Sequence, residues 1–205
     1  MEIIDLTREL NSGTPVYPGD IKPLLNQRCS LAQDGYIDFT LTTGMHAGTH
    51  IDSPMHMLKD KKFISEIDIS RFIGNGLLLN VFNEQVIEWK SDYDEIIPEN
   101  SIVLLNTGFS DKFSTAEYFT DHPVISDNFA EKVAAKKIRI LGMDIPSPDF
   151  PPHNVHKILF NAGILLAENL TNLERLNSHR EFIVSALPLK VRADSAPARI
   201  VAIIT

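Results

Sequence analysis

Short apolar runs recur along the whole chain, and they constrain its fold more than any other feature of the sequence. Most of them are rich in Ile, Leu and Val and are too short for helices, so they predict β-strands. They cover residues 3–4, 37–41, 77–82, 102–105, 138–143, 164–167, 182–187 and 200–204. The run IDFTL at 37–41 also alternates apolar and polar residues, which indicates an antiparallel strand with one face in water.

Helical signals are fewer than strand signals. One segment of good helix formers follows a capping residue, Ser126 or Asp127. A second segment begins at Asn154, its predicted N-cap, and stops at Gly163. A third short helix is expected within residues 63–73. The sequence therefore predicts a chain dominated by strands.

Composition and charge narrow the class of protein. No repeat or linker divides the 205 residues, so we predict one mixed α/β domain over residues 1–205, strand-rich and with few helices. The net charge of -8 disfavours binding to nucleic acid or to an anionic membrane, and no apolar run is long enough to span a bilayer. Cys29 is the one cysteine, and the N-terminus does not resemble a signal peptide, so we expect a cytoplasmic protein.

The segment HAGTHIDSPMH, residues 46–56, holds three of the seven histidines and one aspartate. Ten residues of extended chain span ~33 Å, whereas metal ligands lie ~2 Å from the ion, so these side chains converge only if the backbone turns, as Gly48 permits. His50 and Asp52 would share one face of a strand, ~6.6 Å apart at their bases. His46 would return through the glycine turn and complete a metal site.

The donor types leave several kinds of site open. Imidazole and carboxylate together suit zinc, manganese or iron(II). His-x-Asp with a further His also matches the facial triad of iron(II) oxygenases. A non-catalytic metal-binding module would present the same residues, and a polar loop with histidines exposed by chance is the simplest alternative.

A second candidate site lies near the end of the chain. Glu168 closes the apolar run 164–167, and burying an ionised carboxylate is costly unless it is paired or binds a metal. His156, in the preceding helix, could reach it and form a second metal site, with His153 as a lower-ranked alternative. Metal-bound histidines usually donate their other N–H to an acceptor. Three residues that follow the strand 138–143 could supply one: Asp144, Ser147 and Asp149.

The histidine segment resembles the His-x-Gly-Thr-His-x-Asp-x-Pro-x-His signature of the cyclase family of metal-dependent hydrolases, and it matches every fixed position. That family includes bacterial kynurenine formamidases and isatin hydrolases. The segments IDLTRELNSGTPVYPGD, LLNTG, LGMDIPSPD and HKILFNAGILLAENLTNL resemble other parts of the family sequence, so the resemblance extends along most of the chain. It implies a fold of the swivelling β/β/α type and a homodimer or larger homo-oligomer.

The resemblance also implies a set of metal ligands. His46, His50 and Asp52 would hold the first metal ion. Asp52 would bridge to a second ion, which His156 and Glu168 would complete. The expected cofactor is Zn²⁺, up to two per chain, with Mn²⁺ as the other candidate.

Two further roles and an activity follow from the resemblance. His56, the last residue of the signature, would be the catalytic acid and base rather than a ligand. Tyr17 stands where the family's formamidases typically have Trp, so it is expected to line the substrate pocket. The implied reaction is hydrolysis of a small amide or cyclic amide, such as N-formylkynurenine or isatin, by metal-activated water. The resemblance favours this arylformamidase-like activity over the oxygenase and the non-catalytic module.

Overall fold

The computed structural model describes residues 1–59 and 62–204, and strands dominate it. The twelve strands of this part of the chain are β1 (Glu2–Asp5), β2 (Leu24–Cys29), β3 (Asp38–Thr42), β4 (His50–Asp52), β5 (Ile73–Asn80), β6 (Val86–Ile87), β7 (Ile102–Asn106), β8 (Val124–Ile125), β9 (Ile140–Met143), β10 (Leu165–Glu168), β11 (Phe182–Pro188) and β12 (Ser195–Ile204). The five α-helices there are α1 (Leu31–Asp34), α2 (Tyr93–Ile96), α3 (Glu117–Thr120), α4 (Asp127–Ala135) and α5 (Asn154–Asn161). None of the described helices is both long and apolar enough to cross a membrane.

Each of the eight apolar runs overlaps a strand, which confirms the main prediction from the sequence. No apolar run marks β2, β4, β6 or β8, and only for β4 did the spacing of His50 and Asp52 suggest a strand. The helix expected within residues 63–73 is instead two turns of 3-10 helix, Ile64–Glu66 and Ile69–Phe72. They stay separate because Ile67 is extended and the Asp68 side chain accepts a hydrogen bond from the Ser70 amide, which starts the second turn.

The helix ends show one correct and one wrong capping prediction. Ser126 caps α4 through its side chain, as expected. At the start of α5, however, Asn154 is the first helical residue, and His153 occupies the N-cap with a φ of 61°. Asp149 replaces the missing side-chain cap, because its Oδ2 accepts a hydrogen bond of 2.7 Å from the amide of Val155. A carboxylate from the preceding loop therefore fixes the start of α5.

The main sheet is mixed and closes on itself. Its strands run in the order β1-β12-β11-β5-β7-β9-β10-β4, and β4 also pairs with β12. Seven strands thus form a closed ring, with β1 added along the second half of β12. Strands β5, β7, β9 and β10 are parallel neighbours, and the other pairings of this sheet are antiparallel. This arrangement confirms the predicted strand-rich α/β class.

The core lies on both faces of the sheet. In β7, Ile102 and Leu104 belong to one buried cluster, whereas Val103 and Leu105 belong to another. The second cluster includes buried residues of α4 and α5, and the first packs on the opposite face. Strands buried on both faces explain why these runs are continuously apolar in the sequence.

A separate two-stranded sheet joins β2 and β3. Its antiparallel pairing agrees with the alternation of residues 37–41. Every residue of β3 is exposed, however, so the expectation of one buried face fails within a single chain. The reason is that, among the described residues, β3 pairs with β2 alone.

Gly76 in β5 sits where no side chain fits. A Cβ there would lie 2.0 Å from Cε2 of Phe182 and 2.8 Å from Cγ2 of Val184, both buried in β11. We expect Gly76→Ala to lower the free energy of unfolding by about 1–3 kcal/mol, because the packed core must shift. Gly74→Ala is the matched control, since its nearest neighbour is Nη1 of Arg139 at 3.5 Å. Urea denaturation compares the two variants, and equal stability would contradict the prediction.

Candidate active site

Strand β4 presents His50 and Asp52 on one face, as their spacing predicted. It lies between β10 and β12, and its pairing with β10 places Glu168 directly opposite His50. The Nε2 atom of His50 lies 3.4 Å from Oδ1 of Asp52 and 3.4 Å from Oε2 of Glu168. All three residues are buried, so the sheet itself brings these two carboxylates to one imidazole.

His46 reaches the same place through a turn at Gly48, which has a φ of 64°. This turn confirms the backbone reversal that the sequence required. His46 Nδ1 lies 2.9 Å from Asp52 Oδ1. The Gly48 carbonyl accepts hydrogen bonds from His50 Nδ1 and from the side-chain Nδ2 of Asn169, each of 2.9 Å. Because His50 uses Nδ1 in this way, its Nε2 is left for the histidine–carboxylate cluster, which comprises His46, His50, Asp52, His156 and Glu168.

His156, on α5, approaches Glu168 as predicted. Its Nε2 lies 3.7 Å from Glu168 Oε1, and its Nδ1 forms a hydrogen bond with Oδ1 of Asp149. His153 Nδ1 lies 3.2 Å from the same Asp149 oxygen. Asp149 therefore orients His156. Asp149 was one of the three residues expected to accept a hydrogen bond from a metal-binding histidine.

The other two residues of that set have different partners. Asp144 accepts hydrogen bonds from the amide and hydroxyl of Thr107 and from the amide of Gly108. The Ser147 hydroxyl donates to the main-chain carbonyl of Asp149. Asp144 thus fixes the end of β7 rather than a histidine, and Ser147 shapes the loop that carries Asp149.

His56 ends a 3-10 turn, Pro54–His56, directly after β4. Its ring centroid lies 4.2 Å from that of His46 and 6.2 Å from that of His156. Its Nδ1 lies 3.0 Å from Oδ2 of Asp194, and His46 Nε2 lies 3.0 Å from the same oxygen. Sequence reasoning missed Asp194, because it is 138 residues from His56 and only the pairing of β12 with β4 brings it close.

The cluster stabilises positive charge. Burial disfavours the protonated imidazoles, but the Asp52 charge and the hydrogen bonds to Asp194 and Asp52 together outweigh burial and raise the pKa of His46 to about 10. Asp149 and Glu168 likewise raise the pKa of His156 to about 9 against its burial. Asp52 and Glu168 also raise the pKa of buried His50. The same negative potential attracts a divalent cation.

Three buried polar atoms of the cluster make no well-aligned hydrogen bond to a described residue, although Asp52 Oδ1 contacts His46 Nδ1: His50 Nε2, Asp52 Oδ1 and Glu168 Oε1. Buried polar atoms in folded proteins are nearly always paired. One imidazole nitrogen and two carboxylate oxygens, buried and close together, are the donors that divalent transition metals take. The residues present therefore fit a metal ion.

The side chains with convergent ligand atoms group somewhat differently from the predicted ligand sets. Atoms within 4.8 Å of one another come from His50, Asp52 and Glu168, and from His46, Asp52 and His56. A third such group joins His156 to Asp149 and His153. Asp52 belongs to the first two groups, whereas His156 belongs only to the third, so the expected bridge from Asp52 to a His156–Glu168 ion stays a prediction. The geometry also brings His56, the expected acid and base, within reach of a ligand position.

An open pocket leads to the cluster, and aromatic side chains form part of its wall. Tyr17 lines it, as expected, and its ring meets that of Phe119 edge to face at 6.0 Å. Phe119 and Met57 were not predicted, since no motif marks a pocket wall. The remaining lining residues are Pro15, Val16, Asp20, His46, His50, Asp52, His56, Pro146, Ser147, His153, His156, Glu168 and Asn169.

Comparison with known proteins identifies the family. The family model named Cyclase matches residues 4–150. The chain belongs to the cyclase family. This cyclase-family chain is 31% identical over 206 aligned residues to a kynurenine formamidase of Bacillus cereus, covering 98% of this chain and 96% of that protein. It is 29% identical to the kynurenine formamidase of Bacillus cytotoxicus, covering 97% and 95%.

Two solved structures extend the comparison. An isatin hydrolase bound to the product analogue thioisatinate superposes with a TM-score of 0.88 at 21% identity, covering 99% of this chain and 92% of that one, which shows a shared fold. A potential metal-dependent hydrolase with cyclase activity gives a TM-score of 0.80 at 26% identity, covering 100% and 98%. The cyclase-family chain is a metal-dependent hydrolase, and the comparisons do not favour the oxygenase or the non-catalytic module.

Proposed function

We propose that this hydrolase cleaves the carbon–nitrogen bond of a small aryl amide, either an aryl formamide such as N-formylkynurenine or a lactam such as isatin. The observation that carries the proposal is the buried histidine–carboxylate cluster at the base of a pocket walled by Tyr17 and Phe119. The similarity to kynurenine formamidases over nearly the whole chain supports the same substrate class. Cys29 is the single cysteine, so the chain forms no internal disulfide. This supports a cytoplasmic location for the enzyme.

We assign the metal ligands as the signature implies. His46, His50 and Asp52 hold one ion, and Asp52, His156 and Glu168 hold a second. The three buried atoms of His50, Asp52 and Glu168 that lack a well-aligned hydrogen bond support these residues as metal ligands. Zinc is the proposed ion, and manganese suits the same donors. In such a site a divalent cation would lower the pKa of bound water to about 7, so that hydroxide would be available near neutral pH to attack a carbonyl.

His56 moves the proton in this scheme. Its Nδ1 faces Asp194, so Nε2 is the ring nitrogen left for the substrate side. Nε2 accepts a proton from the attacking water and returns it to the departing nitrogen, which leaves as an amine while the carbonyl carbon becomes a carboxylate. Histidine suits both steps because it works as base and as acid near neutral pH.

Tyr17 and Phe119 bind the aryl group in this proposal. Aromatic rings pack favourably edge to face, and these two already do so in the pocket wall. Tyr17 keeps the aromatic face of the Trp that the family's formamidases typically carry, and adds a hydroxyl. A substrate with an aromatic ring next to its scissile amide would therefore contact this wall while its carbonyl reaches the cluster.

A substrate screen tests the proposed function. The purified protein is assayed with zinc, and separately with manganese, against N-formylkynurenine, isatin, other aryl formamides and small lactones. We expect hydrolysis of an aryl formamide or of isatin, lost with a chelator and restored by adding metal. Tyr17→Ala should raise KM for that substrate more than it lowers kcat. Full activity in the presence of chelator, or turnover that consumes oxygen, would contradict the proposal.

The metal content of a Glu168 variant tests the second metal position. Glu168→Gln keeps the shape of the side chain but removes its charge, so we expect about one metal ion fewer per chain and a loss of activity. Glu174→Gln is the matched control, because Glu174 is exposed. Elemental analysis after gel filtration measures the ratio of metal to chain. Unchanged metal content and activity in Glu168→Gln would remove this residue from the ligand set.

We also propose that the enzyme is a homodimer or a larger homo-oligomer that buries the β2–β3 hairpin. Leu25, Phe39 and Leu41 share one face of this hairpin and are 37%, 51% and 44% exposed. Asn26 and Thr40 lie on the opposite face. A lone two-stranded sheet is at best marginally stable in water, so a second copy that covers the apolar face would stabilise it.

Matched substitutions on the two hairpin faces test this assembly. Phe39→Asp and Leu41→Asp place charge on the apolar face and should shift the protein to monomers. Thr40→Asp, on the opposite face of the same strand, should leave the oligomeric state unchanged. Light scattering during gel filtration gives the mass of each variant. A monomeric wild type, or dissociation by Thr40→Asp alone, would refute the proposed interface.

A further inference from the structure

One carboxylate oxygen joins two histidines of the site. Oδ2 of Asp194 lies 3.0 Å from Nε2 of His46 and 3.0 Å from Nδ1 of His56. In the proposed function His46 is a metal ligand and His56 is the acid and base. The Asp194 carboxylate thus contacts both a proposed metal ligand and the proposed proton-transfer group.

The main chain around Asp194 is held in place independently of its carboxylate. Its carbonyl accepts hydrogen bonds from the Ser53 amide at 3.0 Å and from the Ser53 hydroxyl at 2.7 Å. The next residue, Ser195, pairs with Asp52 across β12 and β4. Ser53 itself lies between Asp52 and the turn that carries His56. Because these contacts belong to the backbone and to Ser53, replacing the Asp194 side chain leaves them available.

We propose that Asp194 is a positioning residue for the hydrolysis, orienting the rings of His56 and His46 at the same time. This inference rests on the proposed function, since it names what sets the orientation of the proposed acid and base. Asp194 touches neither the substrate nor the reacting atoms in this scheme, and it acts through the two imidazoles.

The direction of the hydrogen bonds explains how the orientation works. An ionised carboxylate only accepts, so His56 donates from Nδ1 and His46 donates from Nε2. That choice leaves the lone pair of His56 on Nε2, where a proton can be taken from water. In the metal-bound form, where His46 is neutral, it would leave the lone pair of His46 on Nδ1, the atom that lies 2.9 Å from Asp52 Oδ1. A buried or half-buried aspartate holds a catalytic imidazole in one tautomer in the same manner in Ser-His-Asp hydrolases, without itself taking the proton.

The half-buried environment makes this arrangement effective. The side chains of Asp194, His46 and His56 are 33%, 26% and 26% exposed, so water competes only partly for their hydrogen bonds. The two rings lie 4.2 Å apart between centroids, and their tilt of 42° lets both reach the same oxygen. Without the carboxylate, each ring could rotate or exchange its tautomer, and its free nitrogen would no longer face the cluster reliably.

Kinetics of Asp194 variants at saturating zinc test the inference with the best substrate of the screen. We expect Asp194→Ala to lower kcat about 10- to 100-fold while KM changes less than about threefold, because orientation of His56 affects the reaction more than binding. Asp194→Asn keeps an acceptor oxygen in the same place and should recover part of the lost kcat. Metal content and thermal unfolding are measured on the same samples.

A double-mutant cycle with His56→Ala separates positioning from a general structural effect. If Asp194 affects turnover through His56, the double variant at saturating zinc should be little slower than His56→Ala alone, because the remaining contact of Asp194, with His46, affects metal binding, which saturating zinc compensates. Losses that multiply in the double variant, or a kcat of Asp194→Ala equal to that of the wild type, would overturn the inference. A wild type that hydrolyses none of the substrates would instead overturn the proposed function, so the two failures are distinguishable.

Discussion

The pairing of β4 with both β10 and β12 is the constraint on which the rest of the structure depends. It closes the main sheet into a ring and places Glu168 opposite His50 and Ser195 opposite Asp52. Side chains alternate along a strand, so a slip of one residue in this three-residue strand would turn both His50 and Asp52 away from the cluster. The backbone hydrogen bonds that complete the fold therefore also set the geometry of the site.

Burying two carboxylates destabilises the fold electrostatically, and the neighbouring histidines offset this cost. Asp52 and Glu168 are both buried, and an isolated buried carboxylate is strongly destabilising. The imidazoles around them lower the pKa of both acids in spite of burial. Protons and divalent cations are thus alternative ways to balance the same negative charge, so metal binding at this site must release protons.

The sequence predicted more of the strands and signature residues than of the contacts around them. Apolar runs located eight strands, among them the central strands that are buried on both faces, and the signature located His46, His50, Asp52 and His56. No apolar run marks the three-residue β4, because His50 and Asp52 make it polar, so no sequence pattern indicated that this strand closes the ring. Pocket residues such as Phe119 also escaped, since a side chain becomes a wall only through tertiary packing.

The outer carboxylates share a geometry that no motif records. Asp149 contacts His153 and His156, as Asp194 contacts His46 and His56. In His46 and His156 the nitrogen that faces away from the cluster meets one of these aspartates, so the other nitrogen faces Asp52 or Glu168. Asp149 comes from the loop after β9 and Asp194 from the segment before β12, and neither lies within the histidine signature. A ligand motif can therefore identify the histidines of a site. Which ring nitrogen each of them turns toward the cluster depends on two aspartates outside the motif.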